Sequence, residues 1–283
     1  MGRPAWTPVL TGLAFAEAPR WHDGALFVSD IFGRQVWRVV PGEAPEVIHE
    51  VPGLPSGLGW LPDGRMLIVS MRERRVLVAD GDGLREYADL SALVGGDCND
   101  MVVDAKGRCY VGNFGYDLVG GAERRPTGVV LVDQAGEARM LAEGLWFPNG
   151  LAITPDGRTL LVAETRGARI SAFTIADDGS LHDRRSFAEF AETGPDGICL
   201  DAEGALWLAS PSTGEVLRVA DGGEVVGRLD TPQGTAQACM LGGPDGRSLF
   251  VCSTPTHIEH ETIERRPGRV EMVEVDVPHA GRP

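Results

Sequence analysis

The chain has 283 residues, of which 43% are hydrophobic and 24% charged, and its formal net charge at pH 7 is −15. A chain with this negative charge repels a polyanion at long range, and the sequence contains no basic stripe that would offset the repulsion. We therefore expect no nucleic-acid partner. No run of about 18 apolar residues occurs, so we expect no membrane span and no membrane partner. The segment 1–8 lacks the apolar core of a signal peptide.

Five cysteines occur without a Cys-x-x-Cys pair, and four of them lie within or beside apolar runs that read as strands. Their odd number and their surroundings predict buried, reduced thiols rather than disulfides. Reduced thiols favour a reducing compartment, so we expect a cytoplasmic protein. The five are Cys98, Cys109, Cys199, Cys239 and Cys252.

In chain order, a turn motif recurs six times. Near copies begin at Pro62, Pro155 and Pro244 with the letters Pro-Asp-Gly-Arg, and weaker versions follow His22, Asp104 and Asp201. The turn glycines are separated by about 40 to 50 residues, which is the period of propeller blades. They are Gly24, Gly64, Gly107, Gly157, Gly204 and Gly246.

Each repeat has an apolar run, an Asp-Gly turn, a second apolar run and two shorter alternating strands. Six four-stranded repeats predict an all-β protein, a six-bladed β-propeller forming a single domain over residues 1–283. A pair of β-sandwiches fits the regular repetition less well. The segment 184–192 has the composition of a short helical turn. Either the tail 269–277 or the early Thr7-Pro-Val-Leu supplies the strand that closes the ring, and the sequence leaves this open.

Residues just before the innermost strand of each blade meet at one mouth of the channel. The positions seven or eight residues before the turn glycines are Glu17, Ser56, Asn99, Asn149, Asp196 and Ala238. Any single Asn-Gly or Asp-Gly pair is an ordinary turn. Carboxylates and amides at one phase of a repeat predict instead a cage of hard oxygen ligands for one divalent cation. Calcium is the favoured ion, with Mg²⁺, Mn²⁺ and Zn²⁺ as alternatives.

The chain resembles the SMP-30/gluconolactonase/luciferin-regenerating family over most of its length. The resemblance is carried by Phe15-Ala-Glu-Ala-Pro-Arg-Trp, Asn99-Asp-Met-Val-Val-Asp, Pro148-Asn-Gly-Leu and Pro195-Asp-Gly-Ile. It implies a six-bladed propeller with Glu17, Asn149 and Asp196 as metal ligands. It makes Asn99 a fourth ligand or a substrate contact, and it places Asp117 near an acidic substrate contact.

The sequence departs from the sugar-lactonase branch at a few positions. Asp97 stands where those enzymes often carry arginine, and Gly144-Leu-Trp-Phe-Pro precedes Asn149. Trp146 is expected either in the blade core or in the pocket, and the sequence favours neither position. Phe114 and Met71 are expected at the rim. These residues favour a less polar lactone, ester or phosphotriester as substrate.

The resemblance and the ligand set together indicate a metal-dependent hydrolase of a lactone, with a small lactone or ester as its partner. Asp196 is the preferred general base or nucleophile, and Asp100 is the second choice. The alternatives are a metal-dependent phosphotriesterase and a non-catalytic propeller that binds calcium and a ligand. Carboxylates beyond the ligand set, Asp100 and Asp117, favour the enzyme.

The segment His257-Ile-Glu-His260-Glu261 lacks the order of a His-Glu-x-x-His zinc site. It follows the last repeat and is flanked by Pro255 and Pro267, so we expect a polar loop at the rim. Nothing in the sequence indicates the oligomeric state.

Overall fold

Six antiparallel four-stranded sheets surround a central channel in a computed structural model, which describes residues 5–281. The predicted six-bladed β-propeller is confirmed. Residues 1–4 and 282–283, which the predicted domain includes, lie outside the described residues. Between residues 5 and 281, no helix is long and apolar enough to cross a membrane.

The chain begins with β1 (Thr7–Leu13), which belongs to the last blade, and then builds the first three blades in order. Blade 1 contains β2 (Ala16–His22), β3 (Ala25–Asp30), β4 (Gln35–Val39) and β5 (Glu46–Glu50). Blade 2 contains β6 (Pro55–Trp60), β7 (Met66–Ser70), β8 (Arg75–Asp80) and β9 (Gly83–Asp89). Blade 3 contains β10 (Cys98–Val103), β11 (Cys109–Asn113), β12 (Thr127–Val132) and β13 (Ala138–Leu145).

The remaining three blades repeat the same order from the channel outwards. Blade 4 contains β14 (Pro148–Ile153), β15 (Thr159–Glu164), β16 (Arg169–Ile175) and β17 (Leu181–Glu189). Blade 5 contains β18 (Ile198–Leu200), β19 (Leu206–Ser210), β20 (Glu215–Val219) and β21 (Val225–Asp230). Blade 6 contains β22 (Ala238–Gly242) and β23 (Ser248–Ser253), then helix α1 (Glu259–Arg265) and β24 (Gly268–Glu274).

Both candidate segments take part in closing the ring. β24 pairs with β23 from Ser248↔Glu274 to Ser253↔Arg269, and β1 adds to its other edge as the outermost strand. Blade 6 therefore joins the two ends of the chain, which ties the first repeat to the last.

The apolar residues form six clusters, and each lies mainly between two neighbouring blades. This arrangement explains why the two central strands of a blade are almost continuously apolar, since both of their faces are buried. All five cysteines are buried and unpaired, as predicted.

Two local predictions were wrong. Residues 184–189 belong to strand β17, which pairs with β16 through Arg169↔Glu189 and Ala172↔Arg185. β17 is an outermost strand with a mostly exposed surface, so it lacks the alternating apolar pattern that identifies a strand. The second error is the loop expected at residues 257–261, because residues 259–265 form α1.

Candidate functional site

The predicted ligand positions lie at matching points of the inner strands. Glu17, Ser56, Asn99 and Asn149 are the second residues of β2, β6, β10 and β14. Asp196 lies two residues before β18, and Ala238 begins β22. The repeat therefore gives all six positions the same height in the channel.

An interruption of strand pairing accompanies the ligand position in four blades. Pairing of the inner strand with its neighbour shifts between Glu17 and Arg20, and at the corresponding point of blades 2, 3 and 4. Such bulges bend the strand and redirect a side chain away from the sheet. Here they allow side chains at the ligand positions to face the channel.

Glycines that follow the ligand positions allow neighbouring inner strands to approach. A Cβ on Gly150 would lie 2.5 Å from the Asp196 carbonyl oxygen and 2.8 Å from Gly197 Cα. The Gly150 N–H donates to that same carbonyl at 3.3 Å. Gly150 therefore gives space to the backbone of the next blade.

We expect Gly150→Ala to lower the free energy of unfolding by about 2 kcal/mol, because backbone atoms must move to admit the methyl group. Chemical denaturation would measure this loss. Gly81→Ala is the matched control, since Gly81 has open space around its Cβ position and no positive φ. Equal stability of the two variants would contradict the close approach.

A cavity of about 810 Å³ opens at this mouth, and four predicted ligands line it together. They are Glu17, Asn99, Asn149 and Asp196. Phe114 and Met71 also line it, as expected from the sequence. Ser56 and Ala238 are buried and do not line it.

Two hydrogen bonds orient the Asn149 side chain. Its Nδ2 donates to Thr165 Oγ1 at 3.1 Å, and the Thr165 hydroxyl donates to the Pro195 carbonyl at 2.8 Å. This leaves Asn149 Oδ1 as the acceptor available to the cavity. For Asn99 the reverse holds, because its Oδ1 accepts a long 3.4 Å bond from Ser56 and its NH₂ remains available. Thr165 carried no signal in the sequence.

The two carboxylates of the cavity have raised pKa values. Glu17 lines the cavity, but its carboxylate is buried in the surrounding protein. This burial, together with the nearby charge of Asp100, raises the pKa of Glu17 to about 8. Burial, followed by the charges of Glu17 and Asp100, raises the pKa of Asp196 well above its usual value. Without a cation, this part of the channel therefore favours the protonated acids.

Asp100 is not brought into the cavity. Its Oδ1 lies 2.6 Å from Arg20 Nη2, and both side chains are almost fully buried. The Met101 N–H also donates to Asp100 Oδ1, at 2.8 Å. Burial raises the pKa of Asp100, and the Arg20 guanidinium and the Met101 N–H oppose that shift. Because Asp100 is buried within this pair and does not line the cavity, the structure argues against the second-choice assignment of Asp100 as base.

Trp146 and Asp117 lie outside the cavity lining. Trp146 is 37% exposed. The next residue, Phe147, has a left-handed backbone (φ 59°) and takes the place in the cavity instead. Asp117 is exposed and caps its own loop, accepting the Gly120 N–H at 2.7 Å.

The segment after β23 contributes to the rim. His257 and Glu259 line the cavity, and the His257 ring lies 5.5 Å from that of Phe15. Glu259 accepts hydrogen bonds from Arg72 at 2.5 and 3.2 Å, which joins blade 6 to blade 2. Sequence reasoning missed this pair, because 187 residues separate its members.

The chemistry of the donors fits a divalent cation. Asp196 Oδ1 is buried, and within residues 5–281 no hydrogen-bond partner reaches it. Across the same residues, no three His, Cys, Asp or Glu side chains gather at metal-ligand spacing. A cation site would therefore combine the Glu17 and Asp196 carboxylates with the Asn149 amide oxygen, which are hard ligands suited to Ca²⁺ or Mg²⁺.

Comparison with known proteins identifies the family. The sequence profile of the SMP-30/Gluconolactonase/LRE-like region matches residues 15–255. The chain belongs to this family.

Two proteins named as lactonases and one named as regucalcin resemble the chain over most of its length. It is 29% identical over 246 residues to pentonolactonase XacC of Haloferax volcanii, which covers 85% of this chain and 82% of that protein. A solved gluconolactonase from Xanthomonas campestris shares 26% identity and superposes with a TM-score of 0.77, covering 96% and 89% of the two chains. Regucalcin of Agrobacterium tumefaciens, described as a calcium-binding protein, has the same fold, with 24% identity, a TM-score of 0.81 and coverage of 98% and 94%.

Proposed function

We propose that the chain is a divalent-metal-dependent hydrolase of lactones, with its site in the 810 Å³ cavity. The observation that carries the proposal is the unpartnered, buried Oδ1 of Asp196, which shares a cavity with Glu17 and Asn149. Buried like charges without a counter-charge are unfavourable, and a cation offsets them. The lactonase activities of the Haloferax and Xanthomonas relatives support the choice of reaction.

Glu17, Asn149 and Asp196 are the proposed protein ligands. Three protein oxygens leave coordination positions for water and substrate, and the mixture of charged and neutral donors favours Ca²⁺ over a smaller ion. Calcium is also the ion named for the Agrobacterium neighbour. When bound, the cation would supply Lewis-acid polarisation of the lactone carbonyl.

The side chains have distinct proposed roles. Asp196 accepts a proton of the attacking water as the water oxygen bonds to the lactone carbonyl carbon. The acyl C–O bond of the ring then breaks and that proton passes to the leaving ring oxygen, which yields a hydroxy acid. Asp196 Oδ1 has no hydrogen-bond partner among residues 5–281, so it is available to interact with a water molecule in the cavity, as a general base requires. The free NH₂ of Asn99 donates to a substrate oxygen.

The experiment is hydrolysis of aldonolactones, aliphatic and aromatic lactones, aryl esters and one phosphotriester by chelator-treated protein, with Ca²⁺, Mn²⁺, Mg²⁺ or Zn²⁺ added back. We expect lactone turnover that the chelator abolishes and one of these ions restores. Turnover of the phosphotriester alone would refute lactone hydrolysis. Metal binding without turnover of any compound would favour a binding propeller.

We expect metal affinity to rise with pH. Between the ordinary pKa of Glu17, 4.5, and about 8, the folded protein holds a proton that the unfolded chain releases. The stability of metal-free protein should therefore fall as pH rises through this window, while release of the Glu17 proton alone raises apparent metal affinity by up to about tenfold per pH unit. Calorimetric titration at pH 5.5, 6.5 and 7.5 measures this, and an affinity independent of pH would contradict it.

A further inference from the structure

One side of the cavity is built from apolar side chains of the first four blades, and we call these the apolar wall. It consists of Phe15, Phe32, Leu54, Met71, Phe114 and Phe147. The rings of Phe114 and Phe147 are stacked, with centroids 4.4 Å apart. The rings of Phe15 and Phe32 meet edge to face, with centroids 5.3 Å apart. These contacts hold the rings in fixed orientations beside the proposed catalytic carboxylate.

Backbone strain helps to place two of these side chains. Leu54 (φ 72°) and Phe147 (φ 59°) each precede a proline, yet both adopt the left-handed conformation. Such residues cost free energy, and the residue before proline ordinarily takes an extended conformation. The strain is thus located where an apolar side chain is directed into the cavity.

In blade 5, the position equivalent to Leu54 and Phe147 is occupied by glycine. Leu54, Phe147 and Gly194 each precede the proline next to a ligand position, in blades 2, 4 and 5. With glycine there, the blade 5 lining of the cavity includes Glu192, Pro211 and Ser212 beside the backbone, and within residues 5–281 it contains no aromatic or long aliphatic side chain. The aromatic and long aliphatic lining residues of the wall thus come from blades 1 to 4, where Asp97 and Arg166 also line the cavity and the Arg166 guanidinium carbon lies 5.9 Å from the Phe147 ring centroid.

A polyhydroxylated ring would bind unfavourably against the apolar wall. Hydroxyl groups placed against phenyl rings lose hydrogen bonds to water and gain none. Arg72, which also lines the cavity, is engaged by Glu259 at 2.5 and 3.2 Å. Alkyl or aryl groups lose nothing by the same transfer and gain from the burial of apolar surface.

We propose that the apolar wall selects lactones whose ring carries an alkyl or aryl substituent over polyhydroxylated lactones, with Phe114 and Phe147 as specificity-determining residues. This inference rests on the proposed lactone hydrolysis. The lactone carbonyl lies near Asp196, and the substituent lies against the two stacked rings.

The test uses γ-lactones with methyl, ethyl, butyl and hexyl substituents beside an aldono-γ-lactone. We expect kcat/KM to rise about threefold to fourfold per added methylene until the wall is covered, and the aldonolactone to be the poorer substrate. A kcat/KM that does not change with chain length, or that favours the aldonolactone, overturns the inference and leaves lactone hydrolysis standing.

Phe114→Ala and Phe147→Ala should each flatten this dependence on chain length, so that the advantage of hexyl over methyl falls at least threefold. Phe27→Ala is the matched control, since Phe27 is buried to the same degree (8% exposed, against 7% for Phe147) and does not line the cavity. Folded Phe114 and Phe147 variants that keep the wild-type dependence refute the assignment of these residues.

Binding of the corresponding γ-lactams, which resist hydrolysis, provides a second measurement that needs no turnover. We expect Kd for wild-type protein, measured by calorimetry, to fall about threefold per methylene. If no lactone is hydrolysed but lactam affinity still rises with chain length, the proposed reaction fails and the apolar subsite stands. Lactam affinity that is independent of chain length overturns the subsite itself.

Discussion

Replacing Asp196 with asparagine is expected to lower kcat/KM for lactone hydrolysis by about 10³, because general-base catalysis contributes roughly 10² to 10⁴ in rate. The substitution is nearly isosteric and also removes a negative charge from the cation site. The substitution should not unfold the protein, since burial and repulsion from Glu17 and Asp100 make a charged carboxylate unfavourable at this position. Metal-free Asp196→Asn should therefore unfold at the same temperature as metal-free wild type, or higher.

Steady-state kinetics and thermal unfolding of the same preparations measure both effects. Asp245→Asn is the matched control, because Asp245 lies in the exposed turn of blade 6, where it accepts a hydrogen bond from the Arg247 N–H. Turnover within about tenfold of wild type in Asp196→Asn would remove this residue from the mechanism.

Replacing Arg20 with methionine is expected to be the most destabilising of these changes. Arg20 is 3% exposed and pairs with Asp100 at 2.6 Å, and its guanidinium also donates to the Met101 and Pro19 carbonyls. Removing one partner of a buried pair costs about 3–5 kcal/mol. For a chain of this size, we expect the unfolding midpoint to fall on the order of 10 °C.

Arg185→Met is the control, since Arg185 makes a two-bond pair with Asp221 that is half exposed. An exposed pair contributes about 1 kcal/mol or less. The double variant Arg20→Met with Asp100→Asn should recover part of the loss, because the unpaired charge is gone. A midpoint for Arg20→Met equal to that of Arg185→Met would contradict a stabilising role for the buried pair.

The fold could be predicted because the repeat encodes it locally. Asp-Gly turns at regular spacing fix the hairpins, and the apolar strands on either side identify the central strands of each blade. Outermost strands such as β17 carry no such pattern, since solvent covers much of their surface. Both segments that close the ring could be named, but the sequence left their positions open, because these depend on pairing between β1 and β24 at opposite ends of the chain.

The ligand positions could be predicted for the same reason, since the repeat gives Glu17, Asn149 and Asp196 one phase and the structure brings them to one cavity. The interactions that surround these positions could not be predicted from the sequence. The Asp100–Arg20 pair depends on contacts across 80 residues, and a local φ decides that Phe147 rather than Trp146 faces the cavity. Neither long-range pairing nor a backbone angle is visible in residue spacing.

The most direct test of the account is a calcium titration of metal-free protein in which bound ion and lactone turnover are measured in the same samples. We expect one ion per chain, with turnover rising in proportion to occupancy. In Glu17→Gln and Asp196→Asn, both should be lost together. Full turnover without a bound ion, or unchanged binding in the two variants, would contradict a catalytic cation held by these carboxylates.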